Sequence, residues 1–175
     1  MKAPLHFQDT TDRLVVRSPY TLARGLHCEM PGQQKTNYEI RPGLARDAED
    51  VRLLAKDLTT AFPFNHHAFR RSYSSVLENP SATLLVAGRE TRVIGYLLGY
   101  GHSTSWAGAN VSWVEELFVN GPQRGHGIGR ALMSAVESQA RNAGGRLVCL
   151  ITRRATESYR AIGYEELAVY LRKTL

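Results

Sequence analysis

Residues 124–129 read Arg124-Gly125-His126-Gly127-Ile128-Gly129, with glycine at every second position. They join a strand-like apolar run at 114–119 to an amphipathic, helix-like run from Ile128 to about Asn142. Glycine lets the backbone curl tightly and approach a ligand without side-chain obstruction. A helix that opens at such a curl points its unpaired N–H groups, and the positive end of its dipole, into the curl. Arg124 and Arg130 add formal positive charge beside it. The unit reads as a cradle for a pyrophosphate, which demands a strand–turn–helix at this point of the fold.

Two familiar nucleotide loops do not fit. A P-loop requires G-x-x-x-x-G-K-[ST], and the chain has no Gly-Lys-Ser/Thr. A dinucleotide fingerprint, G-x-G-x-x-G, counted from Gly127 would place its third glycine on Leu132. It would also carry an acidic residue about 20 positions on, but the next strand-like run ends at Thr152-Arg153-Arg154. Only 46 residues follow Gly129, too few for the remaining strands and helices of a doubly wound sheet.

Arg124-x-x-Gly127-x-Gly129, preceded by Val114-Glu115-Glu116-Leu117-Phe118-Val119, resembles the GNAT superfamily of acyl-CoA-dependent N-acetyltransferases. A second segment agrees. Ala155-Thr156-Glu157-Ser158-Tyr159-Arg160-Ala161-Ile162-Gly163-Tyr164 is similar to that family's A-x-x-[FL]-Y-x-x-x-G-[FY] segment, with Thr152 and Ser158 departing from the usual residues. The resemblance runs from about residue 37 to the C-terminus. It implies an α+β fold, a mixed, mostly antiparallel central sheet flanked by helices, whose fourth and fifth strands splay to admit acyl-CoA. It further implies that the backbone of Leu117, Phe118 and Val119 meets the pantetheine and acyl carbonyl. Arg124, Gly125, His126, Gly127, Ile128, Gly129 and Arg130 would hold the phosphates.

Composition is compatible with this. A chain of 175 residues is one domain by length, and 43% hydrophobic residues suffice for a core. No run of 18 apolar residues predicts a membrane span, and the N-terminus lacks the apolar centre of a signal peptide. Cys28 and Cys149 share no metal-like spacing. Cys149, inside a strand run at 147–151, is expected as a small buried hydrophobe, and a cytoplasmic, reducing setting follows. The net charge of +6 comes from scattered arginines without a basic block, so nucleic acid is not expected. A coenzyme with several phosphates accounts for part of the excess.

Along the chain, residues 1–36 are interrupted by Pro4, Pro19, Pro31 and Gly32 and sustain no periodicity; a short strand at 13–17 is the exception. They read as an extension or linker, with the catalytic domain at 37–175. From Tyr38 the pattern predicts a strand at 38–41, then a helix capped by Asp47 with Val51, Leu54 and Leu58 on one face. A break at 62–67 precedes a second helix to about Glu78. A hairpin follows, 82–87 with 93–100 around residues 88–92, then a polar loop at 103–110 and a strand at 111–119. Ile128, Leu132, Ala135, Val136 and Ala140 share a face of the next helix, with Glu137 and Arg141 as an outer i,i+4 pair and Gly144-Gly145 as its stop. A strand at 147–151, a helix at about 156–162 and a closing strand at 167–172 complete a β-α-α-β-β-β-α-β-α-β order.

Acetyl transfer to an amine needs a neutral amine, a polarised thioester carbonyl and a stabilised thiolate. Presenting a lysine-like amine of pKa ~10.4 neutral at pH 7 costs roughly 4.6 kcal/mol, so a base or a desolvated site must offset it. Glu115 is the first candidate base and Glu116 the second. Alternation groups Glu115 with Leu117 and Val119, and Glu116 with Val114 and Phe118, and a bulge near the splay would expose either. A backbone N–H from residues 117–119 would polarise the carbonyl. Tyr159 is the acid that the resemblance implies for the leaving thiolate. His126 is expected to turn its side chain to solvent. His66 and His67 read first as solvated loop histidines; the alternative is that they line the acceptor pocket, which this family usually shapes at that break. The polar loop surrounded by His102, Trp106 and Trp113 would wall the same pocket, although Trp113 inside a strand suits the core. The activity so implied is acetyl transfer from acetyl-CoA to a primary amine, by direct transfer and without a metal. The acceptor is left open among metabolite, antibiotic, peptide N-terminus and lysine. The alternative is a non-catalytic acyl-CoA-binding regulatory module. The implied partners are acetyl-CoA and the amine; a homodimer is compatible, and no membrane is expected.

Met30 offers a second plausible start. A protein beginning there should keep its melting temperature and its CoA affinity, because the first 29 residues sustain no periodicity and are expected to bury little apolar surface. A drop of several degrees, on the order of 1–2 kcal/mol for a domain this size, would show the extension to be structural.

Overall fold

Between residues 82 and 119 three apolar-rich runs are separated by Gly- and polar-rich stretches at 88–92 and 101–110, and the chain answers with three consecutive antiparallel strands. In the computed structural model, which describes residues 37–58 and 63–173, these are β2 (Ala82–Arg89), β3 (Arg92–Thr104) and β4 (Ala109–Val119). Before them come β1 (Glu39–Pro42), α1 (Ala48–Leu58) and α2 (His66–Glu78). After them come α3 (Ile128–Asn142), β5 (Gly145–Leu150) and α4 (Thr156–Arg160). The strands form one sheet in the order β1-β2-β3-β4-β5. The first three pairings are antiparallel and β4 with β5 is parallel, so the fold is the mixed, mostly antiparallel α+β sheet that was expected.

Each face of the sheet has its own core. On one, Ile128, Leu132, Met133 and Val136 of α3 pack on Leu85, Ala87, Leu97, Val114 and Val119. On the other, Val51, Leu54 and Tyr73 of α1 and α2 pack on Val86, Val93 and Tyr96. Removing a side chain such as Leu132 or Val136 from water contributes about 1.5–3 kcal/mol. Gly145 is required where α3 meets β5, since a Cβ there would lie 2.8 Å from the carbonyl oxygen of Ala140.

Several boundaries differ from expectation. The β2–β3 turn is only Glu90-Thr91, because Arg89 already pairs with Arg92. Residues 103–104 and 109–110 extend the β3–β4 ladder, so the polar loop shrinks to 105–108. His66 and His67 open α2 rather than lying in a break; the Asn65 side chain caps that helix by accepting the Ala68 N–H at 3.0 Å. Cys149 is half-buried rather than buried, and burial pushes its thiol up. The closing strand at 167–172 does not form. That segment has no partner in the sheet, and Leu167, Val169 and Leu171 are more than four-fifths exposed. The extension at 1–36, with its strand at 13–17 and Cys28, lies outside the described residues.

Asp47, expected to cap α1, turns backwards instead. Its carboxylate receives both ends of the Arg41 guanidinium at 2.7 and 2.8 Å and the Leu44 N–H at 2.8 Å, fastening β1 to the start of α1. The Arg41 hydrogen bonds hold the Asp47 carboxyl below its ordinary value of 3.8, and burial opposes them. A group depressed on folding contributes stability above its unfolded pKa and loses it as pH falls through the folded value. Asp47→Asn should therefore cost about 3 kcal/mol at pH 7 in chemical denaturation, the lower end of the range for breaking a buried pair. The gap to wild type should narrow below about pH 4. A pH-independent gap would contradict the ion pair as its cause.

Candidate active site

β4 and β5 stay paired only from Asn110 with Gly145 to Val114 with Leu150. β4 runs on to Val119 without β5 beside it, so the sheet opens from residue 115 onward. At the same point the β3–β4 ladder slips. Leu98 faces Glu116 while Gly99 faces Val114, leaving Glu115 as the extra residue of a β-bulge. Gly99 permits this close approach: a Cβ there would sit 3.0 Å from the Trp113 carbonyl oxygen.

The bulge reverses the parity of the strand. Val114 lies in the α3-side core with Leu117 and Val119, whereas Phe118 packs on the α1 side. Glu116 thus shares a face with Phe118 but not, as simple alternation had it, with Val114. Glu116 Oε2 accepts a 2.7 Å hydrogen bond from the buried Tyr96 hydroxyl. Burial and that carboxylate raise Tyr96, which keeps it protonated as a donor. Glu115 is exposed, and among the described residues no hydrogen bond or ion pair engages its side chain. Tyr100 is raised first by burial and then by the charges of Glu116 and Glu115, so both carboxylates act on its hydroxyl.

The Asn120 N–H donates to the Ile94 carbonyl across β3 at 2.9 Å. Antiparallel alternation then turns the Phe118 backbone toward β3, and the Leu117 and Val119 N–H groups toward the opening. The Val119 carbonyl accepts from Arg124 Nε at 2.9 Å, and the Arg124 guanidinium lies 5.1 Å from the Phe118 ring centroid. Arg124 is therefore held against the end of β4 rather than swinging free.

The glycine loop sits at the same end. Gly125 and Gly127 both have φ of 79°, a region that disfavours side chains, and Gly127 is the N-cap of α3. The first α3 hydrogen bond runs from the Ala131 N–H to the Gly127 carbonyl at 2.9 Å. The N–H groups of Ile128, Gly129 and Arg130 precede it, and the Gly127 cap supplies no side-chain acceptor for them. A Cβ at Gly125 would meet nothing within 4 Å, and one at Gly127 only the Tyr38 hydroxyl at 3.8 Å. The space before the loop is open and its donors are free of acidic neighbours in the first turn, a donor set that fits a pyrophosphate. His126 is exposed, with Nδ1 3.0 Å from the Arg124 carbonyl oxygen.

Tyr159 lies on α4, half-buried against the α3-side core, its ring centroid 5.9 Å from that of Tyr164. Burial raises its hydroxyl, so it remains a proton donor at neutral pH. Thr152 Oγ1 accepts the Ala155 N–H at 3.1 Å and shapes the approach to α4.

On the α2 side a cavity of about 320 Å³ is lined by Arg71, Ser72, Ser75, Val76, Asn79 and Tyr100. Tyr100 links it to the two carboxylates. His66 stands apart, its Nδ1 accepting from Arg52 at 2.9 Å. Trp106 is 76% exposed on the β3–β4 turn and Trp113 is half-buried. A smaller cavity of about 130 Å³, between Gly43, Leu84 and Gln139, touches none of the candidate residues. Sequence pattern did not single out Tyr96, Tyr100 or Arg71. The period-2 spacing of Tyr96, Leu98 and Tyr100 was the available signal.

The model of the acetyltransferase (GNAT) family matches residues 49–164, which hold β2 to β5, the bulge, the glycine loop and α4. The chain belongs to this family. The aminoalkylphosphonate N-acetyltransferase of Salmonella typhimurium is 29% identical over 136 residues, 73% of this chain and 85% of that protein. Two solved structures share the fold. A transcriptional regulator from Bacillus halodurans superposes with a TM-score of 0.72 at 19% identity, over 79% of this chain and 99% of its own. AAC(6')-Iy, in complex with the bisubstrate analogue CoA-S-monomethyl-acetylneamine, gives 0.66 at 22%, over 79% and 99%. Among the described residues no helix is long and apolar enough to cross a membrane, and no group of three or more His, Cys, Asp or Glu could hold a metal ion.

Proposed function

We propose that this protein transfers the acetyl group of acetyl-CoA directly to the primary amine of a small acceptor. The observation that carries the proposal is the coincidence of three features at one end of β4: the opening beyond Val114, the bulged Glu115 and the uncapped N-terminus of α3. Acetyl-CoA supplies the activated acyl group as a thioester. Ile128, Gly129 and Arg130 bind the pyrophosphate through their N–H groups, and Arg130 adds charge. Leu117 and Val119 present N–H donors along the open edge, where one can polarise the acyl carbonyl. Glu115, free to move at the bulge, accepts the proton of the amine directly or through a water. Glu116, tied to Tyr96, keeps a fixed negative charge beside it. Tyr159 gives its hydroxyl proton to the departing sulfur.

The acceptor enters from the α2-side cavity. Arg71 places a cation there among the hydroxyl-bearing Ser72, Ser75 and Tyr100. Among the described residues no ion pair involves Arg71. That lining suits an amine carrying an anionic group, as in the compounds that the name of the Salmonella relative describes.

A screen of aminoalkylphosphonates, amino sugars and peptides with acetyl-CoA, following free thiol, tests this. Aminoalkylphosphonates should give the fastest turnover, and Arg71→Ala should raise their KM with little change in kcat. Tyr159→Phe should lower turnover on the order of ten- to a thousand-fold with CoA affinity preserved. Glu115→Gln should lower it too, most at pH values below the pKa of the amine. If Glu116→Gln is damaging and Glu115→Gln silent, the base is on the other residue. No turnover with any amine would contradict the proposal.

A further inference from the structure

We infer that Tyr96 is a positioning residue for the acceptor amine: its buried hydroxyl holds Glu116 in one orientation on the acceptor side of the sheet, so that Glu116 orients the amine while Glu115 takes the proton. The inference rests on the transfer reading above and gives a task to a residue which that reading leaves in the core.

Tyr96 lies in β3 with 1% of its surface exposed, in one cluster with Val51, Leu54, Val86 and Val93. Packing alone would be served by phenylalanine there. A hydroxyl taken out of water costs free energy unless it is hydrogen-bonded, so its partner matters. That partner is Glu116 Oε2, at 2.7 Å, a side chain of the neighbouring strand. Burial and then the Glu116 charge raise the hydroxyl, which stays a donor at neutral pH. A hydrogen bond to an ionised acceptor is stronger than a neutral one. Among the described residues no hydrogen bond or ion pair engages Glu116 Oε1, so that oxygen is available to a ligand.

The register gives the bond its direction. Tyr96, Leu98 and Tyr100 alternate onto one face of β3, and Leu98 is the residue that faces Glu116. Glu116 therefore stands between the two tyrosines. Tyr96 belongs to the core beneath α1, and Tyr100 lines the α2-side cavity. Burial raises Tyr100, and the Glu116 charge adds to this ahead of the Glu115 charge. The tied carboxylate is thus the one felt more strongly at the cavity wall.

The bulge sets the contrast between the two carboxylates. Glu115, its extra residue, is exposed, whereas Glu116, one position later, is half-buried and tied. A carboxylate already fixed meets the amine without losing rotamer freedom on binding. A free one can follow the proton.

Steady-state kinetics on the full chain tests this, with aminoethylphosphonate or the amine of the screen that is turned over fastest. Tyr96→Phe keeps the ring and removes only the hydroxyl. It should raise the KM for the amine on the order of tenfold, the loss of a hydrogen bond to a charged group. The KM for acetyl-CoA and the acidic limb of the kcat profile against pH should not move. In a Glu116→Ala background the same substitution should change nothing further, because the hydroxyl then has no carboxylate to hold. If Glu116→Ala does not fold, Glu116→Met serves as the background. Tyr73→Phe is the control. Tyr73 lies in the same core at 7% exposure, and its hydroxyl donates to the Leu44 carbonyl at 2.9 Å. Its loss should lower the melting temperature and leave the KM for the amine alone. An amine KM unchanged by Tyr96→Phe, or raised as much by Tyr73→Phe, would overturn the inference. So would a Tyr96→Phe loss that persists undiminished in the Glu116 background. These outcomes, in active enzymes, overturn the inference alone; no turnover with any amine would overturn the transfer reading and this inference with it.

Discussion

The parting of β4 from β5 after Val114 is the constraint on which the site depends. While the two strands are paired, every backbone donor between them is spent. Once they separate, the Leu117 and Val119 N–H groups face open space, and the sheet becomes a cleft with hydrogen-bonding capacity along one wall. The bulge at Glu115 falls at the same residue, and the two irregularities have complementary effects. The splay gives room, and the bulge places one carboxylate at the surface while its neighbour is anchored beneath by the Tyr96 hydroxyl. A regular ladder would have set the two glutamates on opposite faces with equal claims.

Electrostatics and packing reinforce this layout. α3 is locked to the sheet by Ile128, Leu132 and Val136, so its N-terminus cannot drift from the end of β4. The apolar contacts of α3 thereby aim three backbone donors at the mouth of the cleft. Arg124, fixed between the Val119 carbonyl and the Phe118 ring, keeps its charge at that mouth without having to be ordered on binding. Tyr96, Tyr100, Tyr159 and Tyr164 all have hydroxyls raised by burial, so this part of the molecule holds protons firmly. The carboxylates stand among donors rather than among competing bases.

Much of this was legible in the sequence because it rests on local chemistry. Glycines at 125, 127 and 129 required a curl between strand and helix, and 3.6-residue spacing assigned Ile128, Leu132, Val136 and Ala140 to the core. What was not legible depends on contacts between distant residues. The slip at Leu98 and Gly99 changes which residues share a face with Glu116, and nothing within 114–119 announces it. Asp47 looked like a helix cap because Asp is a good one, but Arg41, six residues earlier, offers it a stronger partner. Residues 167–172 carry the alternation of a strand, yet a strand needs an edge to pair with, and this segment joins no strand of the sheet. Period 2 is therefore a statement about pairing capacity, and only tertiary placement decides whether it is used.

Calorimetric titration of CoA into Gly129→Ala and Gly129→Glu proteins is the most direct test of the central claim, that the N-terminus of α3 at the splay is the phosphate seat. A Cβ at this position makes only ordinary contacts, 3.8 Å to Leu117 and 4.0 Å to Val119, so both proteins should fold. Gly129→Ala should retain measurable affinity. Gly129→Glu should lose it, because its carboxylate would occupy the donors of the first helical turn and repel a pyrophosphate. Unchanged CoA affinity in a folded Gly129→Glu protein would contradict the account.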